Sequence, residues 1–302
     1  MTKPISMVLS LLMLLSITLA ITTVVSAQVT TSEVEIRGEV VSVSGIGNVA
    51  VGWDSKNFAG FWYDIDEDKQ TEKLDILKFK DNRTIEKNQL KYITTRAAQK
   101  YKVFKEKGSN FTVEHGLDVS LNKPTSPARG GYYALVGWMA EKYVAVNGKN
   151  NKLSRVVLEQ ESTDKRTLQV GETWDLGEGY TLSAQSIDAK ATPRQAWLVL
   201  SKDGTKLDDE VIAQGEIYTY SKDMSGENDV PIFVTYVDSV FAGQTSDMVQ
   251  LKYTWAISDK VTEVKSGDNF GIFKVESEQP LALENDGSLS LSRDSTINLQ
   301  AT

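Results

Sequence analysis

The chain has no cysteine, so neither a disulfide framework nor a thiolate metal site is open to it. It has one histidine, His115, which leaves a single base for any Ser-His-Asp arrangement and would force a zinc site onto carboxylates. Val113-Glu114-His115-Gly116 reads as the end of a strand, with an ordinary surface histidine in it. There is no Gly-rich phosphate loop, no dinucleotide fingerprint and no His-Glu-x-x-His. Basic clusters are also missing: Lys and Arg are scattered and the net charge is −8, which disfavours nucleic acid as a partner. An enzyme is therefore not expected, and no cofactor is implied.

One long apolar run is present, and it stands at the start. Lys3 precedes an apolar stretch from Ile5 to Val25, closed by Val25-Ser26-Ala27 before Gln28. A charged start, an apolar middle and small residues three and one before a break make a signal peptide, with cleavage expected between Ala27 and Gln28. About 20 apolar residues could also span a bilayer as an uncleaved anchor, but the serines and threonines in the run and the well-formed cleavage site favour removal. No second run of that length follows, so no stable membrane anchor is expected in this chain and its compartment is extracellular. Losing Lys3 leaves 32 basic against 41 acidic residues, a charge of −9.

The rest reads as strands and turns. Val34, Ile36 and Val40 alternate with Glu33, Glu35, Arg37 and Glu39, and Val249, Leu251, Tyr253, Trp255 and Ile257 alternate with Gln250, Lys252 and Thr254. That period of two predicts strands with one wet face. The runs 196–200 and 232–237 are apolar throughout and suit strands covered on both sides. Asn147-Gly148, Asp203-Gly204 and Asp286-Gly287 tolerate the positive φ of tight hairpins. Leu90, Ile93, Ala97, Tyr101 and Phe104 have roughly helical spacing and predict a short helix against this trend. The fold class expected is all-β: two antiparallel β-sandwich subdomains in tandem behind the signal peptide.

Removing 27 of 302 residues leaves 275, more than one core usually organises. The polar, turn-rich 148–152 marks a boundary near residue 150. The organisation expected is a signal peptide at 1–27, a first sandwich at 28–150, a second at 151–265, and C-terminal strands at 266–302 that could return to complete the first. Gln169-Val170-Gly171-Glu172-Thr173-Trp174 is echoed by Lys265-Ser266-Gly267-Asp268-Asn269-Phe270, each a turn feeding an aromatic into a strand.

Three groups of residues are candidates for binding. Asp64, Asp66 and Asp68 alternate within Asp64-Ile65-Asp66-Glu67-Asp68, as carboxylates converging on Ca²⁺ would. An EF-hand fails there, because Lys69 and Asp75 stand where Gly and Glu are needed, so an irregular Ca²⁺ site competes with a solvated acidic turn. Asn82-Arg83-Thr84 and Asn110-Phe111-Thr112 are glycosylation sequons on an exported chain. Aromatics gather at Trp53, Phe58, Phe61, Trp62 and Tyr63 and at Tyr132, Tyr133, Trp138 and Tyr143, where core packing is the simpler reading and sugar binding the other.

Several of these segments form a longer pattern. Trp53-Asp54, Asn57 to Asp66, Thr71-Glu72-Lys73-Leu74, Leu90 to Thr95, Tyr133 to Tyr143 and Gly171 to Leu182 together resemble, in this order, the duplicated domain of S-layer proteins of methanogenic archaea. The resemblance runs from about residue 33 to the end. It implies paired β-sandwiches, a structural role in a porous, acidic, glycosylated surface coat, partners among other S-layer subunits and glycans, and no catalytic residues. Main-coat members carry the domain twice, followed by a tether and a C-terminal anchor, whereas one copy stands here. The resemblance then implies a truncated or single-domain relative, whose retention would depend on lateral contacts with anchored neighbours. The alternative is a secreted carbohydrate- or Ca²⁺-binding sandwich.

Overall fold

The computed structural model describes residues 51–78, 83–107, 113–117, 131–243 and 245–291, all within one compact unit, 36–302. The expected signal segment with Ala27 and Gln28, the strand expected at 33–40, and both sequon asparagines, Asn82 and Asn110, lie outside the described residues.

In chain order the strands begin with β1 (Val51–Asp54), β2 (Tyr63–Asp64), β3 (Lys69–Gln70), β4 (Glu72–Ile76), β5 (Thr84–Ile85), β6 (Leu90–Thr94) and β7 (Ala97–Lys100), then a short helix α1 (Phe104–Lys107). Next come β8 (Tyr132–Trp138), β9 (Glu141–Ala145), β10 (Lys152–Glu159), β11 (Arg166–Gln169), β12 (Thr173–Gly177), β13 (Tyr180–Asp188), β14 (Gln195–Lys202) and β15 (Thr205–Ala213). The last are β16 (Ile217–Met224), β17 (Glu227–Phe241), β18 (Met248–Glu263), β19 (Asn269–Phe270), β20 (Phe273–Glu278), β21 (Leu281–Asn285) and β22 (Leu289–Ser290).

These make an all-β protein in three layers. A central sheet runs β16-β17-β18-β10-β9-β8-β7, with β11 also on β18. One outer sheet runs β1-β4-β6-β21-β20-β19 and the other β12-β13-β14-β15; β2 with β3, and β5 with β22, form small ladders. Strands on the two sides of residue 150 share the central sheet, since Leu153 pairs with Ala145. The late strand β21 pairs with β6, Leu281 opposite Thr94.

Strand β8 shows why there are three layers. Tyr133 and Leu135 enter the core shared with the four-stranded sheet, while Ala134, Val136 and Trp138 enter the core shared with the six-stranded sheet. Alternate side chains thus serve different cores, and a strand with apolar residues on both faces has to lie between two sheets. Each large aliphatic side chain buried in this way contributes roughly 1.5–3 kcal/mol.

The run 232–237 behaves as expected: Ile232, Phe233, Val234, Thr235 and Val237 are all buried within β17. Pro231 is accommodated because the pairing of β17 with β18 begins only at Phe233. In the run 196–200, Trp197 breaks the pattern and lies 38% exposed. The wet face expected along 249–257 ends early, since Thr254 is buried and bonded to Thr235 at 2.8 Å. There the Gln160 side chain accepts the Thr254 N–H at 2.8 Å, filling the ladder between β10 and β11.

The helical spacing at 90–104 is overturned. Those residues form β6 and β7, and only four residues from Phe104 are helical. Each strand is too short to reveal its own period, and the gap between them mimics a helix repeat. Asp203-Gly204 takes positive φ at both residues between β14 and β15, the mirror-type hairpin turn. Asn147-Gly148 has the same pair of positive φ in a 3-10 turn. Asp286-Gly287 closes no hairpin: β22 pairs with β5, Leu289 opposite Ile85.

The two echoed hexapeptides fold alike. Gln169 N–H donates to the Glu172 carboxylate at 3.0 Å, and Lys265 N–H to the Asp268 carboxylate at 2.8 Å. The fourth residue's N–H returns to the first carbonyl at 2.9 and 3.0 Å. The third residue is Gly171 at φ +83° or Gly267 at φ +93°, a region where a side chain is strained. Each turn carries the chain out of the central sheet, from β11 or β18, into an outer one, at β12 or β19.

Candidate functional site: the seam between two layers

Four of the motif segments approach one another where the six-stranded sheet meets the central one. Glu72, the first residue of β4, is 2% exposed. One carboxylate oxygen accepts the Trp62 N–H at 2.8 Å. The other accepts the Tyr92 hydroxyl at 2.7 Å and the Ala140 N–H at 2.9 Å. Tyr92, fully buried, accepts the Met139 N–H at 3.1 Å. Beside them Thr71 accepts the Gly137 N–H at 2.7 Å, and Thr94 donates to the Gly137 carbonyl at 2.7 Å.

This knot explains a turn that the sequence conceals. Met139 and Ala140 join β8 to β9 with φ of +49° and +71°, although neither is Gly, Asn or Asp. Left-handed backbone costs such residues roughly 1–2 kcal/mol each. Tyr92 and Glu72 offset that cost by taking the two turn N–H groups. Gly137 is required for close approach, because a Cβ there would stand 2.7 Å from a Glu72 oxygen.

Burial raises the Glu72 pKa above its ordinary 4.5, and the three donors only partly oppose the shift. Burial, then the neighbouring Glu72, pushes Tyr92 well above 10.0. The aromatics at the seam are core residues: Phe61 lies 6.3 Å from Tyr92, and Trp138 packs edge-on at 5.7 Å from Tyr92 and 5.3 Å from Phe270.

The other sandwich is tied differently. Its interior is apolar, with Leu182, Leu198, Leu200, Leu168 and Val249 fully buried. Its polar ties lie at the margin, where Asp259 of β18 meets Lys202 of β14 and, at 3.0 Å, Lys222 of β16. Burial alone would raise Asp259; hydrogen bonds from Lys202 and Lys222 outweigh it and hold the carboxyl below 3.8. Asp238 is likewise lowered, by Lys252 and Lys165 against the effect of burial.

The acidic segment forms the β2–β3 hairpin. Asp64 accepts the Asp66 and Glu67 N–H groups at 3.1 and 3.0 Å, and Asp68 accepts the Tyr63 hydroxyl at 2.7 Å and lies 3.7 Å from Lys56. Among the described residues no group of three or more His, Cys, Asp and Glu is gathered as a metal-donor set. His115 sits in a turn at φ +58°, with Nε2 3.6 Å from Glu114, and none of the described residues 113–116 is in a strand.

On β15, Asp208 and Glu210 pair opposite Leu200 and Leu198, whose side chains are fully buried, so both carboxylates sit on the inner side of a sheet edge. Burial, Asp208 and Glu114 raise Glu210. Inward charges on an edge strand obstruct addition of another strand. No helix among the described residues is long and apolar enough to cross a membrane.

The described residues thus form a layered antiparallel β protein whose layers meet at a buried polar seam. The chain belongs to the S-layer protein family, whose model matches residues 43–302. It is 31% identical over 270 residues to a Major S-layer protein of Methanosarcina barkeri (strain Fusaro), covering 86% of this chain and 36% of that relative. It is 31% identical over 295 residues to the Major S-layer proteins of Methanosarcina mazei and Methanosarcina acetivorans, covering 91% of this chain and 40% of each. The chain thus spans about two fifths of the length of these curated relatives or less. The family is structural and not known to be enzymatic.

Proposed function

We propose that this chain is a structural component of an extracellular surface layer, assembling laterally with copies of itself or with other coat subunits. The observation that carries the reading is the match of the S-layer family over nearly the whole three-layer plate, with the matching motifs meeting at the Glu72 seam. A plate locked between layers resists shear, which is the mechanical demand on a wall. The guarded β15 edge favours contact through side-chain faces over growth by strand addition there. The subdivision into sandwiches at 28–150 and 151–265, with 266–302 returning to the first, is read here as two sandwiches sharing the central sheet. Export through the signal segment and glycans on Asn82 and Asn110 belong to the same reading.

Mass spectrometry of isolated surface sheets tests it. The chain is expected in the sheet fraction, starting at Gln28 and carrying added mass at both asparagines. Its absence from sheets of cells that express it would contradict the coat role.

A further inference from the structure

Beside the β2–β3 hairpin an open cavity of about 400 Å³ is lined by Trp62, Tyr63, Asp64, Ile65, Asp66 and Lys142. It is a shallow depression, open to solvent over most of its surface. Its apolar walls stay open to water: Tyr63 is 36% and Ile65 83% exposed, an unusual state for an isoleucine. The walls are also held in place. Tyr63 donates its hydroxyl to Asp68, Asp64 caps the turn through one oxygen, and Lys142 from β9 is anchored at 2.6 Å to Glu159. Among the described residues the Asp66 carboxylate takes no hydrogen bond or ion pair, and Lys142 keeps N–H groups beyond the one given to Glu159.

We infer that this cavity binds a neutral hexose unit. Its polar groups decide the class. Two carboxylates repel an anion, and a metal ion is not provided for, since Asp64 is engaged in the turn and no donor set of three or more is gathered among the described residues; a polyol can donate to Asp66 and accept from Lys142 through adjacent hydroxyls. The aromatic and aliphatic walls match the C–H face of a pyranose ring. The hexose is free or ends a glycan chain, and the chemistry recognised is the same. The site stands whether or not the chain is a coat subunit.

The test is saturation-transfer NMR and calorimetry on the purified protein with methyl glucoside, methyl galactoside, methyl N-acetylglucosaminide and methyl glucuronide, and with glycans released chemically from the cell surface. Saturable binding of a neutral methyl glycoside is expected, with the glucuronide at least about tenfold weaker, a difference of about 1.4 kcal/mol. Tighter binding of the released glycans identifies a chain terminus as the source, and equal binding identifies the free sugar. Tyr63→Ala and Asp66→Asn, both on the exposed hairpin, should each weaken binding about fivefold or more while the protein keeps a single cooperative thermal transition. No saturable binding by any of the sugars, binding untouched by both variants, or a glucuronide bound as tightly as the glucoside would overturn the site.

Discussion

Both faces of the central sheet bury an apolar core against an outer layer, but they place their polar ties differently. Toward the six-stranded sheet the join is a buried polar knot around Glu72, whose partners come from three separate stretches of chain. Toward the four-stranded sheet the interior is apolar, and the ion pair of Asp259 with Lys202 lies at its margin. A buried network adds little net stability but penalises any misalignment, whereas an apolar core tolerates sliding. The knot therefore adds a fixed register to the first join beyond what its apolar core supplies.

The largest effect expected is at the knot. Glu72→Ala leaves the Trp62 and Ala140 N–H groups and the Tyr92 hydroxyl without their acceptor, and should destabilise by about 3–5 kcal/mol in chemical denaturation. A loss below about 1 kcal/mol would mean that the knot is incidental. Leu200→Ala, in the apolar join, should cost about 2–5 kcal/mol through its cavity. Unlike the loss at Glu72, this one should be nearly independent of pH.

The pH dependence sharpens the contrast further. Glu72 has a raised folded pKa, so the folded state holds its proton more tightly, and the stability so gained is present below about 4.5 and lost as pH rises through the folded value. Asp259 has a lowered one, so its contribution is present above 3.8 and lost as pH falls through the folded value. Glu72→Gln should flatten the decline of stability above pH 4.5, and Asp259→Asn should reduce acid sensitivity below 3.8 at a cost of about 1 kcal/mol at neutral pH. Thermal midpoints across pH 3–7 would check both signs. The smallest effect is at the turn: Ala140→Gly, at φ +71°, should stabilise by about 1 kcal/mol, since glycine adopts that backbone without strain.

The same contrast explains what could be read from the sequence. The all-β class was legible because alternation and apolar runs are local signals, as at 232–237. The Asp203-Gly204 hairpin was legible because its chemistry lies within the turn. The Met139-Ala140 hairpin was not, because the groups that make it tolerable, Glu72 and Tyr92, are 68 and 47 residues away. Glu72 carries no local mark of its burial, since acids are common at the ends of strands. The signal that could have found it was its place in a motif, Thr71-Glu72-Lys73-Leu74, beside two others of the same family pattern. At Asp64, Asp66 and Asp68 the pattern of alternate acids was plain, but its geometry was not: a tight hairpin turns the Asp64 carboxylate to a cap and the Asp68 carboxylate to Tyr63, and leaves Asp66 apart from both. The helical spacing at 90–104 misled because two short strands carry no period of their own.

The central claim is that the Glu72 knot locks one layer to the next, and native-state hydrogen exchange on Glu72→Gln measures it directly. The account predicts that the amides of Trp62, Gly137, Met139 and Ala140 lose protection by at least about tenfold while those of Leu182, Leu198 and Leu200 keep theirs. Unchanged protection at the four seam amides, or an equal loss in both sandwiches, would contradict it.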